Sequence, residues 1–153
     1  MRRALLVTAV PLLLAVACET VDLGQPPSDI NACRPSQAFF TTEIWPNFLA
    51  KEYGGMHCYD STCHGGLAPN SLDLIMVPPY DPTDPNMLPP LPLTGDWANN
   101  YRTTTEQMNC ANVAASKLIE LPAAIKVHGC GCGALIQPDG PEATLIKAWV
   151  SQP

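Results

Sequence analysis

The stretch Cys58-Tyr59-Asp60-Ser61-Thr62-Cys63-His64-Gly65-Gly66 decides how this chain of 153 residues is interpreted. Two thiols precede a histidine, as they do in the C-x-x-C-H motif that marks covalent haem attachment. In that chemistry the cysteines bond the two haem vinyl groups, and the next histidine becomes the proximal iron ligand. Here four residues separate the thiols instead of two, so the loop between them must bulge. The sequence predicts covalently bound haem c on Cys58 and Cys63, with His64 on the iron.

The first 17 residues predict a secretory signal peptide, because Arg2 and Arg3 precede an apolar segment that ends in small residues. That segment is too short for a confident membrane span. Residues 14–18, Leu-Ala-Val-Ala-Cys, are similar to the lipobox of bacterial lipoproteins. We therefore expect Cys18 to be lipidated and to anchor the mature chain to a membrane. The expected location is the bacterial cell envelope, either periplasm-facing or at the outer membrane.

Composition divides the mature chain into a tether and one domain. Residues 18–35 are rich in acidic, Pro, Gly and Ser residues, which predicts a flexible tether. Residues 36–153 are long enough for one compact core and no more. Within them, residues 77–92 contain seven prolines and exclude a helix or a central strand. A long Pro-rich loop is therefore expected in the middle of the domain.

Helical periodicity is clearest near the two ends of the domain. Phe40, Ile44 and Phe48 recur at helical spacing, and Pro46 predicts a kink or a restart there. Pro141 suits the first position of a closing helix, and an apolar stripe follows it in residues 145–150. A short helix is also predicted over residues 112–121. The pattern indicates a mainly α fold.

Charge narrows the possible partners. Without Arg2 and Arg3, six Lys and Arg remain against fourteen Asp and Glu, which gives a formal charge of −8. Nucleic acid is therefore not an expected partner, because binding it needs clustered positive charge. An acidic surface could instead steer redox partner proteins that carry a basic docking surface. The sequence contains no nucleophile–base arrangement and no carboxylate cluster, so an enzyme is not expected.

Four further cysteines remain if Cys58 and Cys63 bind haem: Cys33, Cys110, Cys130 and Cys132. Export places them in an oxidising compartment, where disulfides persist. Cys130 and Cys132 are too close in sequence to pair comfortably with each other. Each is therefore expected to reach Cys33 or Cys110, and the sequence does not choose between the connectivities.

The order of these features resembles a small monohaem cytochrome c and, more narrowly, cytochrome c-like lipoproteins of myxobacteria and planctomycetes. The matching segments are residues 44–49 (IWPNFL), 63–66 (CHGG), 71–74 (SLDL), 116–119 (SKLI) and 145–150 (LIKAWV). The resemblance covers residues 39–153. It implies a small cytochrome c-like domain, with long Pro-rich loops, whose N- and C-terminal helices pack around a haem. The helices would then set Phe40, Ile44 or Phe48 against Leu145 and Trp149.

The resemblance also implies a sixth iron ligand, commonly a methionine from the loop before the last helix. This chain departs from that pattern, since no methionine lies there, whereas His128 does. Glycines around His128 would let the backbone approach the haem closely, so we predict His128 as the distal ligand. Met76, Met87 or Met108, or an iron that is open or otherwise ligated, are the alternatives. Two histidine ligands would favour a lower potential than a His/Met pair.

Two other classes of protein stay open. The chain could be a haem-free lipoprotein stapled by disulfides. It could also be a zinc- or copper-binding lipoprotein using His57, Cys58, Cys63, His64, His128, Cys130 and Cys132. Zinc ligands usually come as pairs on two separate knuckles, so residues 57–64 alone can hardly surround one ion.

Overall fold

The computed structural model describes residues 34–66, 72–125 and 133–152. The predicted signal peptide, residues 1–17, and most of the predicted tether, residues 18–35, lie outside these ranges. The described part is helical and contains no strand. Helix α1 runs over Gln37–Phe39 and continues without a break as a π-helix over Phe40–Leu49; α2 is Gly95–Thr105, a 3₁₀ turn is Val113–Ala115, α3 is Lys117–Glu120 and α4 is Pro141–Val150. The predicted mainly α fold is confirmed.

Helix α1 passes through Pro46 instead of ending there. Ser36 caps its first turn, because the side-chain oxygen accepts a hydrogen bond from Phe39 N at 3.2 Å. In the π form each N–H bonds the carbonyl five residues back, so the missing N–H of Pro46 leaves the Thr41 carbonyl without its helical donor. The Tyr80 hydroxyl donates to that carbonyl. A side chain from the Pro-rich loop thus replaces the donor that proline lacks, and the helix does not restart.

Helix α4 packs against α1 and closes the core. The ring centroids of Phe40 and Trp149 lie 5.4 Å apart, and Trp149 Nε1 donates to Ser36 O at 2.8 Å. The predicted contact between Phe40 and Trp149 is therefore confirmed. Fully buried hydrophobic side chains come from both helices: Phe40, Ile44 and Leu49 of α1, and Ala143, Ile146 and Trp149 of α4.

An aromatic cluster joins α2 and the Pro-rich loop to α1. Trp97, to which the sequence assigns no role, lies 5.3 Å from the ring centroids of both Trp45 and Tyr80. Tyr101 meets Phe40 edge-on at 5.5 Å, a preferred geometry for aromatic pairs. The Pro-rich segment, residues 77–92, is a loop that Tyr80 holds against α1 and Trp97. It contains no helix and no strand, as its composition predicts.

Helix α2 holds the segment that follows the motif through polar side chains. Asn100 is fully buried, and its amide accepts from Ile75 N and donates to Ile75 O, both at 2.8 Å. Thr103 Oγ1 donates to Asp73 O at 3.0 Å. These bonds give residues 73–75 the partners that a β-ladder would otherwise supply.

The packing of α4 on α1 predicts a large cost for truncating its buried face. Ile146→Ala should destabilise the haem-free protein by about 2–5 kcal/mol, because it removes buried methyl groups and leaves a cavity. Leu145→Ala is the matched control, since Leu145 is the neighbouring residue on the same helix and only partly buried. Urea unfolding followed by circular dichroism measures both. Equal costs for the two variants would contradict this packing.

Candidate functional site

A tight turn delivers the chain from α1 to the motif. Tyr53 N donates to Met56 O at 2.7 Å, and Met56 N donates to Tyr53 O at 3.2 Å. Gly54 and Gly55 between them have φ angles of 62° and 88°, which glycine adopts without steric cost. The turn therefore places Cys58 two residues beyond a fixed reversal of the backbone.

Asp60 organises the long loop between the two thiols. Its carbonyl accepts from Cys63 N at 2.8 Å and from Gly65 N at 3.0 Å, and its carboxylate accepts from His57 N at 2.7 Å. His64 N also donates to Cys58 O at 3.0 Å. The extra two residues are thus folded into a compact turn, and the backbone of His64 lies against that of Cys58.

A glycine is required at position 65 because the backbone of Tyr59 approaches it closely. A Cβ built at this position would lie 1.8 Å from the Tyr59 carbonyl oxygen, well inside any tolerable contact. The glycine therefore lets residues 59–65 curl back on themselves, which a larger residue would prevent.

The His64 imidazole is oriented by the segment after the motif. Its Nδ1 lies 3.1 Å from Leu72 O, and Leu74 N donates to His64 O at 2.8 Å. Because a carbonyl only accepts, Nδ1 carries the proton in this contact, and coordination of a metal would come from Nε2. Metal-ligating histidines characteristically donate their other N–H to a carbonyl or carboxylate in this way.

Cys58 and Cys63 are half-buried thiols and are not joined in a disulfide. Burial, followed by the charges of Cys63 and Asp60, raises the pKa of the Cys58 thiol to about 12. A thiol protonated at neutral pH reacts poorly in disulfide exchange, which proceeds through the thiolate. The Cys58 thiol is therefore expected to exchange slowly with disulfides at neutral pH.

Aromatic residues cover the motif on one side. Tyr59 stacks between Trp45 and His57, with ring centroids 6.0 Å and 4.9 Å away. His57 Nδ1 also lies 3.7 Å from the Asp60 carboxylate. His57 is therefore engaged in contacts within the loop itself, with Tyr59 and Asp60.

The predicted metal set is not brought together within the described ranges. In them, no group of three or more His, Cys, Asp or Glu side chains is placed to hold a metal ion. His128, the predicted distal ligand, lies outside the described residues, as do Cys130 and Cys132 of the alternative metal site. The lipidation site Cys18 also lies outside them.

The alternative sixth ligands differ in their surroundings. Met76 and Met87 are 68% and 48% exposed, whereas Met108 packs against the core.

Cys110 is disulfide-bonded, as predicted for the four cysteines outside the motif. Cys33, the remaining one of that set, lies outside the described residues.

Residue types suitable for covalent haem are present at the motif: two thiols and a histidine oriented through Nδ1. The sequence signal identified the thiols and the histidine. It did not identify the Leu72 carbonyl, because a backbone acceptor has no signature of its own. The Tyr53 hydroxyl nearby in the chain is buried without a partner in the described ranges.

Within the described ranges, none of the helices has both the length and the apolar character that crossing a bilayer requires. Comparison with known protein families, with curated proteins and with solved structures found no match. The geometry of the motif therefore carries the functional conclusion.

The contact at Gly65 predicts a strong effect of a single methyl group. Gly65→Ala should destabilise the folded protein by about 1–3 kcal/mol, because the loop must open to relieve the overlap with the Tyr59 carbonyl. Ser61→Ala, at an exposed position of the same loop, is the control and should be near neutral. Thermal unfolding compares them; a Gly65→Ala variant as stable as wild type would show that the loop is not closed in this way.

The pKa of Cys58 predicts slow alkylation of the folded, haem-free chain. In a Cys63→Ser background, where burial still raises the pKa of Cys58, iodoacetamide should modify Cys58 at pH 8 at least about tenfold more slowly than in urea, because little thiolate is present below the raised pKa. The rate should keep rising with pH up to about 11. Mass spectrometry of timed samples follows the reaction. A plateau near pH 9 would mean that the thiol has an ordinary pKa.

Proposed function

We propose that this chain is an exported, lipid-anchored, monohaem c-type cytochrome that carries single electrons. The observation that supports it most is the hydrogen bond between His64 Nδ1 and Leu72 O, next to two reduced cysteines. This bond directs Nε2 of the histidine in C-x₄-C-H toward coordination, which is what a proximal ligand requires.

The cysteines would attach the group without a separate oxidant. Each thiol would add across one vinyl group, so that the sulfur would bond one vinyl carbon and the thiol hydrogen would pass to the other. The two electrons of each S–H bond are thereby conserved in the new bonds. Both thiols must be reduced for this addition, and the raised pKa of Cys58 keeps its thiol protonated and slow to exchange at neutral pH.

When bound, the haem supplies an iron that alternates between Fe(III) and Fe(II), and the protein sets its potential and access. His64 and His128 are the residues proposed to hold the iron. Trp45, which is 3% exposed, and Tyr59 stacked on it would limit the approach of water to the motif. A low-polarity shell of this kind is one of the means by which proteins tune redox potential.

The remaining predictions follow from the sequence and are part of the same proposal. Lipidated Cys18 would hold the domain at a membrane of the bacterial cell envelope, and the formal charge of −8 would favour redox partners with basic docking surfaces. We assign no enzymatic reaction and no nucleic-acid partner. The rivals are a haem-free disulfide-stapled lipoprotein and a zinc- or copper-binding lipoprotein.

Haem content tests the proposal directly. The full chain is expressed in a bacterium with the c-type cytochrome maturation machinery, and the denatured product is examined by its pyridine haemochrome spectrum. Wild type should retain haem through acid–acetone extraction. Cys58→Ala combined with Cys63→Ala should lose it, because no thioether can form. His57→Ala is the matched control and should retain it, since His57 is the neighbouring histidine outside the proposed ligand set.

A folded wild-type product without haem would refute electron transfer. Metal analysis and disulfide mapping would then separate the two rivals, because a metal protein contains stoichiometric zinc or copper, whereas a stapled lipoprotein contains only bridges. If haem is present, His128→Ala should change the low-spin iron spectrum, and an unchanged spectrum would exclude His128 as the distal ligand.

A further inference from the structure

A pocket of about 570 Å³ lies between the first turn of α1 and helix α2. It is lined by residues 34–38, by Leu91 of the Pro-rich loop and by Tyr101, Arg102 and Thr105 of α2. None of these residues belongs to residues 53–66, so the pocket is separate from the motif. Its volume falls in the range of small-molecule sites, which is roughly 300–1,000 Å³.

Both arginines of the described ranges line this pocket. They come from separate segments, which the Tyr101 hydroxyl joins by donating to Pro35 O at 2.6 Å. Arg34 precedes Pro35 and Arg102 follows Tyr101, so this bond brings the two arginines to one site. The chain has fourteen Asp and Glu residues, but none of them is among the described residues that line the pocket. The lining is therefore positive in an acidic protein.

Two polar side chains of the lining carry unused hydrogen-bond donors. Gln37 Oε1 accepts from Leu93 N at 2.9 Å, which fixes the orientation of the amide and leaves its two N–H groups without a partner in the described ranges. The Arg34 side chain likewise has no hydrogen bond or ion pair to another described residue. Both groups are therefore available to an acceptor that enters the pocket.

Arg102 is engaged only in part. Its Nη1 donates to Glu106 Oε1 at 2.6 Å, and its Nη2 donates to Asn99 Oδ1 at 2.9 Å. A guanidinium carries five N–H groups, so three remain for a ligand. The Glu106 carboxylate also neutralises some of the Arg102 charge, which makes Arg34 the stronger attraction for an anion.

We propose that this pocket binds a phosphate ester whose anionic group is held by Arg34, Arg102 and Gln37. Guanidinium groups match phosphate oxygens through paired, charge-assisted hydrogen bonds. A phosphate presents three strong acceptor oxygens to these three donor side chains, whereas a carboxylate has only two oxygens. Pro35 and Leu91 line the rest of the pocket and would contact the organic part of the ester. The site goes beyond the proposed electron transfer and does not require haem.

A phosphate ester reaches the pocket either from solution or from a lipid headgroup. Arg34 lies in the predicted tether, residues 18–35, whose other end would carry the lipid on Cys18. The pocket therefore belongs to the edge of the domain that the proposed anchor ties to the membrane. A headgroup bound there would fix the orientation of the domain on the bilayer.

The first test titrates the full chain with glycerol 3-phosphate, in phosphate-free buffer and detergent, by isothermal titration calorimetry. Wild type should show one saturable site. Arg34→Gln should weaken binding about tenfold or more, because it removes a charge-assisted contact, and Arg102→Gln should weaken it less. Glu106→Gln should tighten binding about two- to fivefold, because it removes the carboxylate that competes for Arg102.

Lys117→Gln is the matched control, because it removes the same charge from an exposed lysine of α3 outside the pocket. Its affinity should equal that of wild type. An equal loss of affinity in Lys117→Gln and Arg34→Gln would overturn the site, since it would show attraction to net charge alone. Acetate that binds as tightly as glycerol 3-phosphate would overturn the phosphate class.

The second test identifies the source of the phosphate. The full chain is reconstituted in vesicles of phosphatidylglycerol or of a galactolipid without phosphate, and circular dichroism gives its melting temperature. A higher melting temperature in phosphatidylglycerol, abolished in Arg34→Gln and retained in Lys117→Gln, would support the pocket and assign a lipid headgroup to it. Binding of glycerol 3-phosphate without this difference would support the pocket and assign a soluble ester. The absence of both effects would overturn the proposal.

Discussion

The Trp149 indole is the contact on which the rest of the structure depends. Its ring packs on Phe40, and its Nε1 donates to the carbonyl of Ser36, the residue that caps α1. This one side chain of α4 thus packs on the buried face of α1 and also bonds the residue at the start of that helix. Because the tight turn and the motif follow directly after this helix, the position of α1 decides where Cys58 and His64 lie.

The sequence predicted the elements whose buried faces are apolar and failed where they are polar. Helix α4 was correctly predicted from Pro141 and the stripe that contains Ile146 and Trp149, and α1 from its aromatic residues. Helix α2 was missed because its buried side chains are polar, Asn100, Thr103 and Thr104, and no hydrophobic period marks it. Their burial is tolerated because each is hydrogen-bonded to backbone. Thr104 bonds Asn100 O within the helix, whereas Asn100 and Thr103 bond the backbone of residues 73–75, which is a tertiary property.

The candidate site was predictable in part for a related reason. Thiols and imidazoles are visible in a sequence, so Cys58, Cys63 and His64 could be identified from spacing alone. The compact turn that offsets the longer spacing depends on the Asp60 carbonyl, and the orientation of His64 depends on the Leu72 carbonyl. Every residue offers the same backbone carbonyl whatever its side chain, so only the fold decides which carbonyls make these hydrogen bonds.

Residues 53–65 combine two local constraints. Gly65 admits no methyl group, and the buried hydroxyl of Tyr53 has no partner in the described ranges. Gly54 and Gly55 adopt their positive φ angles without steric cost, and the non-glycine residue with a positive φ in the described ranges, Ala124, lies elsewhere in the fold. Unpaired polar groups and close backbone contacts persist only where the surrounding structure enforces them. The fold therefore constrains residues 53–65 tightly, and the function proposed for this segment rests on Cys58, Cys63 and His64.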